Sequence, residues 1–376
     1  MIPIYGSVKN NTFVCEKSNT YTYKKNIYKI CYDGNIYSSA IMKQELLSKG
    51  YYFETNLEEE VILKAFIEYG IDVYNKFAGH FSFAIWCENK KEIIFMRDYY
   101  SLKTFYYKLN DNGEIEFSNK LSTLLYQNIS MIKSEQFINT YLKDFDLEDG
   151  EIVKNINEIP IIMIYSNKAI NKIKEINCTE YGYIFDEVAQ IVLANIDSIC
   201  AIELEEKNNE IDIVMEYILE TLKKDKILIK GKYSQKKLNY FLENIELPFF
   251  NIAEYKLNFM LKKVKNICLI DLNKENIKRF YNINFFENMF NTKLIFPNFS
   301  RKIVLKIEEI YNEPVWQKAD ISDYRDEEFI LNKFQKMLQQ TKIPICELKI
   351  DDVDYYMMIY LIRLNNWVEK YNIKII

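Results

Sequence analysis

Glycine, proline and histidine are scarce in this sequence. The small numbers of glycines and histidines argue against several kinds of functional site. Among 376 residues there are nine glycines, six prolines and one histidine. Glycine-rich loops bring backbone amides close to phosphates, so a chain with few glycines is a poor candidate for nucleotide chemistry. One histidine, His80, cannot build a two-histidine metal site. We interpret His80 as a packing or surface residue.

Long apolar runs, a basic stripe and paired cysteines are also missing. No apolar run approaches the roughly 20 residues of a membrane span, and the N-terminal MIPIYGSVKNN lacks a signal-peptide pattern. We therefore expect a cytoplasmic protein without a membrane partner. The net charge of -5 comes from interspersed charges of both signs, which argues against a nucleic-acid partner. Seven cysteines without a C-x-x-C pair indicate neither a disulfide framework nor a zinc site.

Apolar and aromatic residues are abundant. They make up 49% and 15% of the sequence, which is typical of a packed globular protein. Aromatic side chains could line a groove for an extended peptide, although core packing is the simpler interpretation. The length allows two domains. A polar stretch at 167–182 separates strand-rich from helix-rich sequence, so we place the boundary near residue 175 and predict domains at 1–170 and 180–376.

Residue periodicity predicts antiparallel strands with two helices in the first part. A strand is predicted at 27–37, and amphipathic helices at 38–50 and 58–70 each end in a C-cap glycine. Four strand-like runs with intervening turns occupy 79–119, and a further strand is predicted at 158–166. The first part is therefore expected to be an antiparallel sheet structure.

The later part has the pattern of a helix-rich α/β domain. Helices are predicted at 184–193, 211–222 and 355–371, and short strands at 199–204 and 227–229. Asp351, Asp352 and Asp354 directly precede the last helix. Aspartate is favoured at a helix N-terminus, so we interpret these residues as capping residues rather than a cation site.

Five motifs in the first part occur in the order of a known domain. They are YDGNIYSS at 32–39, GYYFETNLEEEVILKAFIEYG at 50–70, KFAGHFSFAIW at 76–86, FMRDYYSLKTFYY at 95–107 and EFSNKLSTLL at 116–125. The series resembles the class II glutamine amidotransferase domain of asparagine synthetases and of the related β-lactam synthetases and lasso-peptide cyclases. The resemblance implies an N-terminal-nucleophile fold, an antiparallel αββα sandwich, followed by a reduced, helix-rich α/β synthetase-like domain.

The residues that the resemblance assigns to glutamine hydrolysis have changed. Working members carry a cysteine directly after the initiator methionine, and its own amine serves as the base. Ile2 stands there, and Cys15, the nearest thiol, lacks a terminal amine and is interpreted as a structural or exposed thiol. Asp33 replaces an asparagine that would donate to an oxyanion, and its carboxylate would repel the developing charge. We predict no glutaminase activity.

Other positions of the resemblance keep the family's residue or its charge. The acidic run from Glu58 to Glu60 lies at the position that holds the glutamine ammonium, although Glu58 is one methylene longer than the family's aspartate. Gly34, Arg97 and Asp98 are retained. We interpret these three as residues of turn geometry and structural ion pairing.

The second half resembles the synthetase domain mainly in length and position. The family's strand leads into a Ser-Gly-Gly-x-Asp-Ser loop that binds pyrophosphate, whereas SICAIEL at 198–204 leads into EEKNNE. Glu205 and Glu206 would place negative charge at the phosphates, so we predict no cofactor. NICLIDLNKENI at 266–277 aligns with the family's second acidic motif. In this sequence the carboxylates of that segment are Asp271 and Glu275.

These changes favour a pseudoenzyme that binds a peptide or protein partner during the biosynthesis of a modified peptide, by analogy with lasso-peptide cyclases, which hold a precursor peptide. One alternative is an amide-forming ligase that uses ATP and magnesium, with Asp271, Glu275 and Asp212 as metal or substrate ligands. Another is a structural subunit that forms a heterodimer with an active paralogue, and a homodimer is also possible. Taken together, these observations argue against an enzyme.

Overall fold

The fold is known from a computed structural model that describes residues 4–98, 101–125, 131–133, 137–144, 151–173, 199–203, 233–248, 252–261, 266–271, 282–295, 326–341, 343–344 and 353–376. Across these ranges no helix combines the length and apolar character needed to cross a membrane.

The first part is rich in strands. Its strands are β1 (Tyr5–Lys9), β2 (Thr12–Cys15), β3 (Asn19–Tyr23), β4 (Asn26–Ile36), β5 (Gly79–Cys87), β6 (Glu92–Arg97), β7 (Tyr106–Leu109), β8 (Ile115–Ser118), β9 (Met131–Ile132), β10 (Glu151–Val153), β11 (Ile156–Glu158), β12 (Ile162–Ser166) and β13 (Ala169–Ile173). Its helices are α1 (Ser39–Ser48), α2 (Glu58–Tyr69) and α3 (Leu121–Leu125), with a 3-10 helix at Gly70–Lys76 and a π-helical segment at Phe137–Asp144.

Helices dominate the described residues of the later part. They are α4 (Gln235–Asn244), α5 (Ile252–Met260), α6 (Ile283–Phe290), α7 (Glu327–Leu338) and α8 (Tyr355–Lys370). The strands are β14 (Ile199–Glu203), β15 (Asn266–Asp271), β16 (Thr292–Ile295) and β17 (Lys374–Ile375).

Two six-stranded sheets confirm the antiparallel architecture predicted for the first part. The first sheet has the order β10-β11-β7-β8-β1-β2, and the second sheet has the order β13-β12-β6-β5-β4-β3. Every pairing within them is antiparallel. Trp86 and Phe95 of the second sheet pack with Phe13 and Phe117 of the first sheet in one buried core, so the two sheets are stacked face to face.

Helices cover the outer faces of both sheets. The stripe of Val61, Ile62 and Ala65 on α2 is buried against the second sheet together with Met42 and Leu46 of α1, as expected for apolar residues at helical spacing. On the far side, Tyr106 of the first sheet shares a core with residues of α3, α4 and α8. The layers therefore run helix, sheet, sheet, helix, and helices of the later part belong to the last layer.

One predicted strand was wrong in extent, and several strands were missed. The run at 158–166 is divided between β11 in the first sheet and β12 in the second sheet. Pro160 lies between them and has no backbone N–H to donate, so the chain leaves one sheet there and enters the other. The strands β1, β2, β3 and β13 were not predicted. Each is only four or five residues long, and β3 and β13 contain no buried residue.

The later part contains a parallel sheet. Strands β14, β15 and β16 pair in parallel in that order, which agrees with the predicted α/β character and with the predicted strand at 199–204. The segments at 184–193, 211–222 and 227–229 and the boundary near residue 175 lie outside the described residues, so the division into 1–170 and 180–376 stays a prediction. Strand β17 pairs in parallel with β9, which joins the C-terminal residues to the first part.

Candidate functional site

Gly34 and Asp33 lie in β4, beside β5. The backbone of Gly34 has φ +139°, and a Cβ at this position would lie 2.3 Å from the carbonyl oxygen of His80. Only glycine fits this approach. The Asp33 side chain accepts a hydrogen bond from Asn119 Nδ2 at 2.9 Å. The retained glycine therefore has a structural reason, and it positions Asp33 at the end of the sandwich near α3.

Arg97 and Asp98 are both buried, and each fixes the turn that follows β6. The Arg97 guanidinium donates to the carbonyl of Ile159 at 2.8 Å and to Glu158 at 3.3 Å. The Asp98 carboxylate accepts from the backbone N–H of Lys103 at 3.1 Å, and burial raises the pKa of this carboxyl. These contacts agree with the predicted turn and ion-pair roles, except that the ionic partner of Arg97 is Glu158.

Lys103, which the turn holds, is the centre of a buried ion cluster. Its ammonium donates to Glu287 Oε2 at 2.6 Å and to Asn284 Oδ1 at 3.0 Å, and it lies 3.5 Å from Asp33 Oδ1. Burial alone lowers the pKa of Lys103, but the charges of Glu287 and Asp33 outweigh it, so the pKa is raised. Burial likewise raises the pKa of Glu287, and Lys103 and His80 bring it down to about 2. Lys103 and Glu287 are both charged at neutral pH.

His80 belongs to the same cluster. It is 1% exposed, its Nδ1 lies 2.9 Å from the Tyr37 hydroxyl, and its Nε2 lies 3.8 Å from Glu287 Oε1. His80 was interpreted as a packing or surface residue, and its burial agrees with the first alternative. The interpretation missed the carboxylate, which comes from a distant part of the chain.

Glu58 lies in a second group of polar residues next to this cluster. Its carboxylate accepts from the Tyr32 hydroxyl at 2.7 Å, and burial raises its pKa against the opposing effects of Tyr32 and Lys293. The Lys293 ammonium donates to Asn35 Oδ1 at 2.6 Å, and burial lowers the pKa of Lys293. A lysine of β16 therefore reaches into the motif that contains Asp33 and Gly34.

Glu60 does not belong to the polar group that contains Glu58. Its carboxylate accepts from the backbone N–H groups of Glu54 and Thr55 at 2.9 and 2.7 Å and from Lys64 Nζ at 2.6 Å. Burial raises the pKa of Glu60, and these hydrogen bonds overcome that effect and lower it to about 2. Glu60 therefore holds the loop before α2, while Glu58 contributes to the polar group.

A cavity of about 380 Å³ opens beside Lys103. Asp33, Lys103 and Glu287 line it together with Glu246 and Tyr371. Glu246 accepts from the backbone N–H of Ser122 at 3.0 Å, and burial raises the pKa of Glu246 to about 7. The cavity is therefore bounded by residues of both halves and has charged groups of both signs.

The carboxylates predicted in the second half are described only in part. Asp271 ends β15, and its backbone partner in β14 is Glu203. The other candidates Asp212, Glu275, Glu205, Glu206, Asp351 and Asp352 lie outside the described residues. Asp354 is confirmed as an N-cap, since its side chain accepts from the backbone N–H of Met357 at 2.7 Å. Where the chain is described, histidine, cysteine, aspartate and glutamate form no group of three or more that could hold a metal ion.

Sequence reasoning did not select Lys103, Asn119, Glu287 or Lys293. Lys103 could have been found, because the FMRDYYSLKTFYY motif aligns it with a lysine of the resembled family. Glu287 and Lys293 carry no local signal, since their contacts with the motifs span 184 and 258 residues.

Comparison with known proteins supports the resemblance over the first half. The model of the glutamine amidotransferase domain matches residues 18–181. Asparagine synthetase [glutamine-hydrolyzing] 3 of Bacillus subtilis (strain 168) is 31% identical over 104 residues, which are 28% of this chain and 17% of that protein. Putative asparagine synthetase [glutamine-hydrolyzing] 2 of Methanocaldococcus jannaschii is 34% identical over 96 residues, which are 26% of this chain and 18% of that protein. The chain thus spans less than a fifth of these relatives, and the predicted resemblance is confirmed over part of its length.

Among solved structures, glutamine phosphoribosylpyrophosphate amidotransferase from B. subtilis, complexed with ADP and GMP, is 12% identical. The match covers 78% of this chain and 76% of that chain at a TM-score of 0.29. That score is too low to support a comparison of detail.

Proposed function

We propose a function from the premise that residues 18–181 belong to the glutamine amidotransferase domain family. The protein is a pseudoenzyme of that family, and it uses the cavity beside the former glutaminase site to bind a peptide or protein partner in the biosynthesis of a modified peptide. The observation that carries the proposal is an ion cluster next to an open cavity, in which the Lys103 ammonium lies between the carboxylates of Asp33 and Glu287.

The positions of the described cysteines support the loss of glutamine hydrolysis. The family's nucleophile is a thiolate whose own terminal amine is the base. Cys15 lies in β2, so an amine could be freed there only by removing β1, which pairs with both β2 and β8. Cys31 and Cys87 are buried within β4 and β5. None of these three thiols can acquire the required base while the first sheet remains intact.

Asp33 supports the same proposal. An oxyanion site needs donors aimed at the developing negative charge. Asp33 instead presents a carboxylate that accepts from Asn119 and pairs with Lys103. Stabilisation of a tetrahedral oxyanion at this place would therefore have to overcome charge repulsion.

The cavity has a size and composition that suit a peptide. Ligand pockets are typically about 300–1,000 Å³, and this one is about 380 Å³. Asn119, Asn244 and Asn284 line the cavity. Each already donates one hydrogen bond within the chain, and an amide NH₂ has a second hydrogen that can pair with a peptide carbonyl. Tyr240 and Phe285, which stack on each other, add aromatic surface for a side chain.

The experiment has two arms, both on the full chain. Ammonia release from glutamine is expected to equal the background, and release above it would contradict the loss of hydrolysis.

Peptides encoded beside the gene are then tested for binding by calorimetry. Tyr240→Ala should weaken binding at least about tenfold, because Tyr240 lines the cavity, whereas Tyr52→Ala should not, because Tyr52 is exposed outside the residues that line it. Equal effects of the two substitutions would contradict the cavity as the binding site.

One observation favours a second candidate, the ATP- and magnesium-dependent amide ligase. Ligands of open parallel sheets bind at the carboxyl ends of the strands, and Glu203 and Asp271 are register partners at those ends of β14 and β15. Calorimetry with ATP and magnesium tests it. Saturable binding that Asp271→Asn abolishes would favour the ligase over the pseudoenzyme.

A further inference from the structure

Cys15 and Cys31 meet where the chain passes from the first sheet to the second sheet. Cys15 ends β2, and its carbonyl accepts hydrogen bonds from the backbone N–H and the hydroxyl of Ser18 at 3.3 and 2.8 Å, which closes a tight turn. The next residue, Asn19, begins β3 and pairs with Ile30 of β4. Cys31 follows Ile30, so the strand register brings it level with the end of the turn that Cys15 begins.

The two thiols are in contact. Both side chains pack into the buried core that joins the two sheets, and the Cys31 thiol donates a hydrogen bond to the Cys15 sulfur. A disulfide needs a sulfur–sulfur distance of about 2.05 Å and a specific side-chain geometry. Hydrogen-bonded thiols reach it by rotation about their side-chain bonds, so these two cysteines can be joined within the folded chain.

The thiols differ in exposure and in acidity. Cys15 is half-buried, whereas Cys31 is fully buried. The hydrogen bond from Cys31 lowers the pKa of Cys15 against the effect of burial, and the backbone N–H and the charge of Lys17 act in the same direction. The same hydrogen bond and burial raise the pKa of Cys31. The thiolate is the form of a cysteine that reacts with oxidants, so Cys15 is the thiol that reacts first, and Cys31 lies beside it to complete a disulfide.

We propose that Cys15 and Cys31 are a modification site, at which a hydroperoxide forms a reversible disulfide that joins β2 of the first sheet to β4 of the second sheet. With hydrogen peroxide, the Cys15 thiolate attacks one oxygen, the O–O bond breaks and hydroxide leaves, which produces a sulfenic acid at Cys15. The Cys31 sulfur then attacks the Cys15 sulfur. The S–S bond forms, the S–O bond breaks, and the released hydroxide takes the Cys31 proton. Two thiols are thereby oxidised, and one peroxide is reduced to two molecules of water.

The disulfide would close the loop of residues 16–30 and tie the two sheets together. A cross-link of this kind removes conformational freedom from the unfolded chain, so the oxidised protein is expected to melt at a higher temperature than the reduced protein. Neither cysteine lines the cavity, so oxidation at this site is independent of the partner proposed there.

The test treats the full wild-type chain with hydrogen peroxide at neutral pH, blocks the remaining thiols with N-ethylmaleimide and digests the protein with trypsin. Trypsin cleaves after lysine and arginine, so Cys15 lies in the peptide 10–17 and Cys31 in the peptide 30–43. Mass spectrometry is expected to find these two peptides linked, and to find them separate after treatment with dithiothreitol. Absence of the linked pair, or its presence only in a cross-linked dimer on non-reducing electrophoresis, would overturn the proposal. This measurement needs no variant, so it stays decisive if a substitution impairs folding.

Cys31→Ser tests the order of the two steps. Without the second thiol, the sulfenic acid at Cys15 has no partner, so its labelling by dimedone should rise at least about tenfold over the wild type. Cys87→Ser is the matched control, because Cys87 is also buried in a strand of the second sheet, but its register partner is Tyr28. The control should keep the linked pair and the dimedone labelling of the wild type. Equal labelling of Cys15 in Cys31→Ser and in the control would contradict Cys31 as the second thiol.

Thermal unfolding tests the link between the sheets. The oxidised wild type is expected to have a Tm about 3 °C or more above that of the reduced wild type, and Cys31→Ser treated with the same peroxide should show no such rise. Equal Tm values for the oxidised and the reduced wild type would mean that the bond does not join the two sheets in the folded chain, and would overturn the proposal.

Discussion

Gly34 is under two separate constraints, its backbone angle and the space around it. Its φ is +139°, and a Cβ would lie 2.3 Å from the His80 carbonyl oxygen and 2.6 Å from Phe81 Cα. Both obstacles are backbone atoms in the centre of β5, so neither can move away like a flexible side chain. Gly34→Ala is therefore expected to lower the free energy of unfolding by about 3 kcal/mol or more, measured by urea denaturation.

Gly50 provides the control for this prediction. It also has a positive φ, +87°, but nothing lies within 4 Å of its added Cβ. Gly50→Ala should cost only the conformational penalty, about 1 kcal/mol. Equal losses for the two substitutions would show that the close approach of β4 and β5 contributes nothing.

Single residues of the site differ in how well their roles could be predicted from the sequence. Gly34, Arg97 and Asp98 were interpreted as structural, and their contacts agree. Asp98 holds the adjacent turn through Lys103, whereas Gly34 and Arg97 contact residues that are distant in sequence. His80 was interpreted as a packing or surface residue; it is buried, and its acidic neighbour could not be foreseen. Glu287 comes from a segment that reaches the motifs only through tertiary packing, and no local pattern encodes that approach.

At the scale of elements, the N-cap of α8 offers a direct test. The Asp354 side chain accepts from the backbone N–H of Met357 at 2.7 Å, which satisfies one of the donors that a helix start leaves open. Asp354→Ala is expected to cost about 1 kcal/mol of unfolding free energy. Asp354→Asn keeps an oxygen acceptor and should cost much less. A similar loss in both variants would contradict capping and point to the charge instead.

Elements with a strong period could be predicted, and weakly patterned ones could not. Helices α1, α2 and α8 and strand β4 agree with the predicted segments within a few residues. The run at 158–166 looked like one strand, because the apolar pattern continues on both sides of Pro160 while the chain changes sheets. Strand β3 was missed because the sequence NTYTY has no buried face, and its residues are half-buried or exposed. The local residue pattern indicates which side chains are buried, but it does not indicate which sheet a strand joins.

At the scale of the whole molecule, both halves contribute to one core and one ion cluster. Residues of α4, α5 and α8 share a buried core with α3 and with the first sheet, and β17 extends β9. The sequence suggested two domains and gave no sign of how much they share. Such contacts depend on the packing of helices against a sheet. The residue periodicity of the helices and of the strands does not reveal them.

The pairing of Lys103 with Glu287 makes stability depend on pH in a defined direction. The pKa of Glu287 in the folded chain is lowered to about 2 from its ordinary value of 4.5, so the unfolded chain binds more protons between these values. The carboxylate therefore stabilises the folded state fully above about pH 4.5, and that contribution is lost as the pH falls toward 2. One pKa unit corresponds to about 1.4 kcal/mol. Between pH 6 and pH 3 the contribution should fall by about 2 kcal/mol.

Glu287→Gln isolates this contribution. The variant cannot ionise at residue 287, so the difference in unfolding free energy between wild type and variant should shrink by about 2 kcal/mol from pH 6 to pH 3. Denaturation by urea at several pH values measures it, and other carboxylates cancel in the comparison. Glu243→Gln is the control, because Glu243 pairs with Lys333 at the exposed surface, where an ion pair contributes little. A difference that stays constant with pH for Glu287→Gln would mean that Lys103 does not hold Glu287 as a carboxylate, and would contradict the ion pair as a link between the two halves.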